Sequence, residues 1–269
     1  MNCARRPSHP TVGRLSRMTK PETMKLLLTS SGISNPSIHE ALVGLLGKPI
    51  AESSALCIPT AIYPYRGGPT GAYRFISGTA TSPLCELGWK SLGILELTAL
   101  PSNDRGNWIP AVEEADALLV WGGDVLYLRR WMRESGLAEL FSSLRPELVY
   151  VGVSAGSMVT GSYIGETYTG GNPPKGDDIE SEVILVDTPE GELRVNFTVA
   201  PGLGLVDLAL LPHVGHERFP ENSLLNAEIW ASKLPTPLYG IDDQTAIKVV
   251  DGATEVVSEG HWKLFAPKR

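Results

Sequence analysis

The sequence predicts an α/β protein built on a mostly parallel sheet with helices on both faces. Two observations carry that prediction. From Met24 onward, near-continuous apolar runs of strand length alternate with helix-length segments, the pattern of strands buried on both faces. Two of these runs also end in small residues. Ala117–Trp121 ends at Gly122-Gly123, and Leu148-Val149-Tyr150-Val151 ends at Gly152-Val153-Ser154-Ala155-Gly156. Bare backbone is thereby expected at the carboxyl ends of strands, where open α/β sheets hold their reactive sites.

The elements follow in order. Lys25–Thr29 reads as the first strand, then a Ser/Gly turn and a helix begun near Pro36. Ser54–Pro59 is the second strand. A polar, Gly-rich segment with Tyr63, Tyr65, Tyr73 and Phe75 leads toward a helix ending near Leu87. Gly93–Leu97 is the third strand, Trp108–Glu114 a short helix and Ala117–Trp121 the fourth strand. Leu126–Leu140 has amphipathic spacing and reads as one helix. After Leu148–Val151 and the Gly-Val-Ser-Ala-Gly turn comes a Gly/Pro/Asp loop, Gly170–Asp178. Ser181–Val199 reads as two strands around Pro189-Glu190-Gly191, a hairpin inserted into the domain over about residues 179–201. Leu205–Leu211 resumes a core strand, Asn222–Ser232 is a helix, and Ala246–Val250 with Thr254–Val257 closes the chain as a hairpin over Asp251-Gly252. No internal repeat or interdomain linker is visible, so residues 24–269 form a single domain, with 1–23 as a disordered tail or the product of an upstream start codon. That tail is basic and Pro-containing, and it lacks the apolar core of a secretory signal.

Composition narrows the function. A net charge of −7 argues against general nucleic-acid affinity, which needs basic surface, and gives no support for docking to anionic membranes. No run approaches the length of a membrane helix. Cys3, Cys57 and Cys85 form no C-x-x-C pair, and Cys57 lies within an apolar run; a reducing cytoplasm is the simplest home. Nothing in the sequence calls for a cofactor or a metal. The expected partner is a small peptide, and a homodimer is left open.

An apolar strand running into G-x-S-x-G is the sequence form of a nucleophile elbow, which exposes the Ser154 hydroxyl on a sharp turn. Serine needs a base, so the histidines decide the next step. His9 lies in the tail, His39 in the first helix and His261 in the terminal Gly260-His261-Trp262. His213 and His216 both follow Leu205–Leu211 and are expected at the same sheet edge as Ser154. His213, fixed by Pro212, is the better base. The carboxylate that orients it comes from Glu166, Asp177 or Asp178, and spacing does not choose among them; Asp207 reads as a structural hydrogen-bonding group. One N–H of Gly122-Gly123 with that of Ala155 would form an oxyanion hole, and Asp124 caps the following helix.

These residues carry a family resemblance. Val120-Trp121-Gly122-Gly123-Asp124, Gly152-Val153-Ser154-Ala155-Gly156-Ser157, and Gly202-Leu203-Gly204-Leu205-Val206-Asp207 running to Leu211-Pro212-His213 resemble the peptidase E (aspartyl dipeptidase) family of serine peptidases. The resemblance spans most of residues 24–269. It implies a class I glutamine amidotransferase-like fold, Ser154 as nucleophile, His213 as base, and an oxyanion hole from Gly123 and Ala155. It also implies hydrolysis of short peptides after an N-terminal aspartate. Two departures stand out: Asp124 where members commonly have Asn, and the longer segment between Ser154 and His213. Glu166, lying before the inserted hairpin, is the expected acid. Arg218, five residues past His213, is the expected clamp for a substrate carboxylate.

Two other classes compete. An α/β-hydrolase esterase also uses G-x-S-x-G but places its histidine late, which would favour His261. A non-catalytic amidotransferase-like binding domain is the other alternative, against which the intact Ser154 and His213 argue.

Overall fold

The computed structural model describes residues 24–168 and 174–267; the expected tail, 1–23, lies outside them. The amino-terminal half runs β1 (Lys25–Thr29), α1 (Pro36–Leu46), β2 (Ser54–Ile58), α2 (Gly68–Ile76), β3 (Ser91–Ile94), α3 (Arg105–Glu114), β4 (Ala117–Val120), α4 (Val125–Glu134), α5 (Leu137–Leu140), β5 (Val149–Val153) and α6 (Ala155–Met158). The remainder runs β6 (Tyr163–Tyr168), β7 (Glu180–Thr188), β8 (Gly191–Pro201), β9 (Ala209–Leu211), α7 (Leu224–Ala231), β10 (Leu238–Ile241), β11 (Thr245–Val250), β12 (Ala253–Ser258) and β13 (Trp262–Phe265).

The central sheet has seven strands in the order β12-β11-β1-β5-β4-β2-β3. β1, β5, β4, β2 and β3 are parallel, and the closing hairpin adds β11 and β12 antiparallel. Both faces are buried, as the continuous apolar strands predict. Leu27, Leu119, Val149 and Val151 pack with Ile38 and Leu42 of α1 on one side. Leu26, Leu28, Leu118 and Tyr150 pack with Trp108 of α3 and Leu128 and Met132 of α4 on the other. Helix α1 starts where Asn35 accepts from the Ile38 N–H and stops at left-handed Gly47, so local capping and apolar spacing agree.

Four elements depart from the sequence reading. The helix expected to end near Leu87 is α2, which stops at Ile76; Pro69 lies in its first turn, and buried Phe75 stacks on Trp121. The expected Leu126–Leu140 helix is broken into α4 and α5 at Gly136, whose φ of 79° is left-handed. The Leu205–Leu211 strand is only β9, and it belongs to a separate three-stranded sheet, β13-β10-β9. Finally, the Ser181–Val199 hairpin is not a free insertion. β8 pairs over residues 196–201 with β6, a strand absent from the sequence reading. Phe197 of β8 stacks on Trp230 of α7, within a core that also holds Ile184, Val186 and Val195.

Candidate active site

Ser154 follows the last residue of β5 with φ 51° and ψ −115°, a conformation that an L side chain holds only when its surroundings impose it. They do so here. The Ser154 N–H donates to Thr29 O of β1 at 3.0 Å, while its carbonyl accepts from the N–H groups of Ser157 and Met158. The glycines around it cannot be replaced without collision. A Cβ on Gly156 would lie 2.1 Å from Val120 O, and one on Gly152 would lie 2.6 Å from Gly156 O. The small residues of the motif are therefore dictated by the closeness of β4, β5 and α6.

The end of β4 supplies the second piece. Gly123 has φ 144°, and a Cβ there would meet Ala61 O at 2.2 Å. Neither the Gly123 N–H nor the Ala155 N–H has an acceptor among the described residues. Both donors are therefore open to an acceptor from outside the described residues, and Ser154 between them is half-buried. Asp124 caps α4, accepting from the Tyr127 N–H at 2.8 Å.

His213 reaches the same place from the second sheet. β9 delivers Pro212-His213, with His213 at φ 59°. β10, parallel to β9, delivers Asp242-Asp243 before the chain turns into β11, where Ala246 pairs with Thr29. This turn brings Asp243 against the carboxyl end of β1. His213 Nδ1 lies 2.7 Å from Asp243 Oδ1, and the Ser30 hydroxyl donates to that oxygen at 2.7 Å. Ser30 Oγ also accepts from the His213 backbone N–H at 2.8 Å, and the His213 ring stacks on Phe219. A carboxylate at Nδ1 makes that nitrogen the donor, which leaves the Nε2 lone pair free as a base. Burial raises the Asp243 carboxyl, but hydrogen bonds from His213 and Ser30 and the nearby imidazoles outweigh it. The net shift lies below the usual aspartate value.

Ser154, His213, Asp243 and Gly123 line one cavity of about 650 Å³. A family model for peptidase family S51 matches residues 26–257. The chain belongs to peptidase family S51. It is accordingly a serine-type peptidase, and the α/β architecture agrees with solved structures. One is a protein assigned as a peptidase E from Listeria monocytogenes EGD-e, similar at a TM-score of 0.54 with 15% identity, covering 88% of this chain and 99% of that one. Another is a peptidase from an acI-B1 Actinobacterium, with a TM-score of 0.55, 20% identity and coverage of 91% and 88% respectively. No match was found among curated protein sequences. Among the described residues of this S51 peptidase, no helix is long and apolar enough to cross a membrane.

The remaining expected residues divide. Glu166 lines the cavity, but it is not the carboxylate on His213. It is held in β6, and its Oε1 accepts from the Thr167 N–H at 2.8 Å. Burial, with the like charges of Asp124 and Glu221, pushes its carboxyl up to about 8 against the opposing pull of that N–H. Asp178 is spent on ion pairs with Arg129 and Arg133, and Asp177 is exposed. Asp207 accepts from Ser162 and Thr236, the structural role its sequence context suggested. Arg218 is exposed at the cavity. His216 Nδ1 accepts from the Arg218 N–H, and its Nε2 lies 3.8 Å from Asp243 Oδ2. His39 is exposed, and His261 is 93% exposed on the Asp242 side of the turn. Cys57 and Cys85 are buried free thiols.

The sequence reading missed Asp243 and Ser30. The available signal was positional: each follows an apolar strand, as Ser154 does. What hid them was the belief that His213 emerged from the central sheet, which drew attention away from the loop before the closing hairpin.

Proposed function

We propose that this peptidase hydrolyses short peptides through an acyl-enzyme on Ser154, with His213 as base and Asp243 as the carboxylate that orients it. In this mechanism, His213 Nε2 takes the hydroxyl proton as Ser154 Oγ attacks the scissile carbonyl. The carbonyl oxygen becomes negative and accepts from the Gly123 and Ala155 N–H groups. The imidazolium, stabilised by Asp243, then gives its proton to the departing amine. Water enters by the same route in reverse and releases the acid product. The observation that carries the reading is the strained Ser154 opening onto the same cavity as the His213–Asp243 pair. The exposure of His261 speaks against the esterase alternative, in which that histidine would be the base.

The finer proposal is a dipeptidase that prefers an N-terminal aspartate. Its support is Arg218, the one Lys or Arg among the described residues lining the cavity, because guanidinium binds a carboxylate in a two-pronged way. Comparing kcat/KM for Asp-Leu, Asn-Leu and Ala-Leu tests it. Asp-Leu should lead by about tenfold or more, the value of a charge-assisted hydrogen bond, and Arg218→Ala should erase the lead. Equal rates for the three peptides would refute the preference and leave the serine mechanism standing.

A further inference from the structure

Glu166 has no catalytic role in this mechanism, yet it lines the reaction cavity without an ion-pair partner among the described residues. Two other half-buried acids of this region and of the sheet are compensated. Asp116 pairs with Lys48 and Arg145, and Asp243 accepts from Ser30 and lies against His213. Glu166 is half-buried on the wall of the reaction cavity. One of its oxygens accepts from the Thr167 N–H, and neither forms an ion pair among the described residues. Its charged neighbours are of its own sign: Asp124 at the start of α4, and Glu221 on the loop before α7, which lines the same cavity. Tyr65 and Tyr168 line the same cavity, and burial together with Glu166 and Asp124 raises both phenols. Arg218 lines the cavity without an ion pair to Glu166 or Glu221. The position of Glu166 is not an accident of a loose loop, because β6 is locked in register against β8, with Glu166 opposite Thr198.

We propose that Glu166, supported by Glu221, binds a cationic group of the substrate, an ammonium or guanidinium, inside the reaction cavity. This deepens the peptidase reading and rests on the same cavity. A substrate cation supplies the countercharge that the protein withholds, and its arrival draws the Glu166 carboxyl, raised to about 8 without it, into the ionised form that accepts charge-assisted hydrogen bonds. An N-terminal aspartate carries both charges this cavity is built to receive: a side-chain carboxylate for Arg218 and a free α-ammonium for Glu166. The cation has two sources, the peptide's amino terminus or a basic side chain.

Binding to the folded Ser154→Ala protein, measured by calorimetry, separates the sources without requiring turnover. Ala-Leu is compared with N-acetyl-Ala-Leu, and N-acetyl-Lys-Leu with N-acetyl-norleucyl-Leu. The expected result is a preference of about tenfold to a hundredfold for the cationic member of one pair. That preference should fall to within about threefold in Ser154→Ala/Glu166→Gln, and be reduced in Ser154→Ala/Glu221→Gln should the first variant not fold. A preference in the first pair assigns the cation to the amino terminus, and one in the second pair to a side chain. No preference in either pair, or a preference that survives both substitutions, overturns the proposal. Peptide breakdown by the Ser154→Ala protein would be seen in the same experiment and strikes the serine mechanism instead, while the binding comparison still judges the subsite.

Discussion

Asp243→Asn is the substitution on which the geometry makes its strongest demand. In the wild-type protein one carboxylate oxygen accepts from the Ser30 hydroxyl and lies 2.7 Å from His213 Nδ1. When His213 takes the Ser154 proton, the imidazolium gains a full negative charge about 4 Å away. At an effective dielectric constant of about 20, that attraction is worth about 4 kcal/mol, or about a thousandfold in rate at 1.4 kcal/mol per decade. Asparagine removes the charge. If its amide nitrogen turns toward His213, it also reverses the imidazole tautomer and blocks the base, a further loss. The expected outcome is a fall in kcat of about a thousandfold or more on a dipeptide, with KM changed by less than about fivefold, since the charge matters most after proton transfer. Glu166→Gln should not reproduce this fall in kcat. The assay is steady-state hydrolysis followed by amine release, with circular dichroism to confirm folding. An Asp243→Asn enzyme within tenfold of wild type, or a larger kcat loss in Glu166→Gln, would refute the reasoning.

Other outcomes follow from the same contacts. Ser154→Gly should be more stable than Ser154→Ala by about 1 kcal/mol, because glycine accepts a positive φ without a Cβ penalty; chemical denaturation of the two inactive proteins checks it. Gly156→Ala should lower stability by about 1–3 kcal/mol, since its Cβ would be forced against the Val120 carbonyl in a site with no room to relax. Glu166, whose folded-state carboxyl is raised to about 8, holds a proton that the unfolded chain releases near pH 4–5. It therefore costs stability progressively as pH rises from about 4.5 to about 8, by at most about 1.4 kcal/mol per pH unit. Glu166→Gln should melt higher than wild type at pH 8.5 and close to it at pH 5. Deleting 181–199 should prevent folding, because it removes Phe197 and its stack on Trp230; a cooperatively folded deletion protein would contradict this.

Much of the central sheet was legible because its strands are buried on both faces and so are apolar without interruption, as Ala117–Val120 and Val149–Val153 show. The elbow was legible for a different reason: its glycines are required by backbone contacts, so sequence and geometry carry the same information. The second sheet was hidden because its strands are short; β9 has three residues and β10 has four. Without them, the route from Ile241 to Asp243 and back along β1 could not be traced, and the acid was sought close in sequence to Ser154. Glu166 attracted that choice because it does line the cavity. Its neighbours, which are acids and tyrosines rather than the base, become apparent only in three dimensions.

The central claim is that Ser154 is the nucleophile and that His213 activates it. Intact-protein mass spectrometry after treatment with a small fluorophosphonate tests both parts at once. The account predicts a single adduct, mapped by digestion to Ser154, absent in Ser154→Ala and formed at least a hundredfold more slowly in His213→Ala, with His261→Ala labelling at the wild-type rate. An adduct at another serine, or a wild-type enzyme that hydrolyses peptides while resisting the reagent, would contradict it.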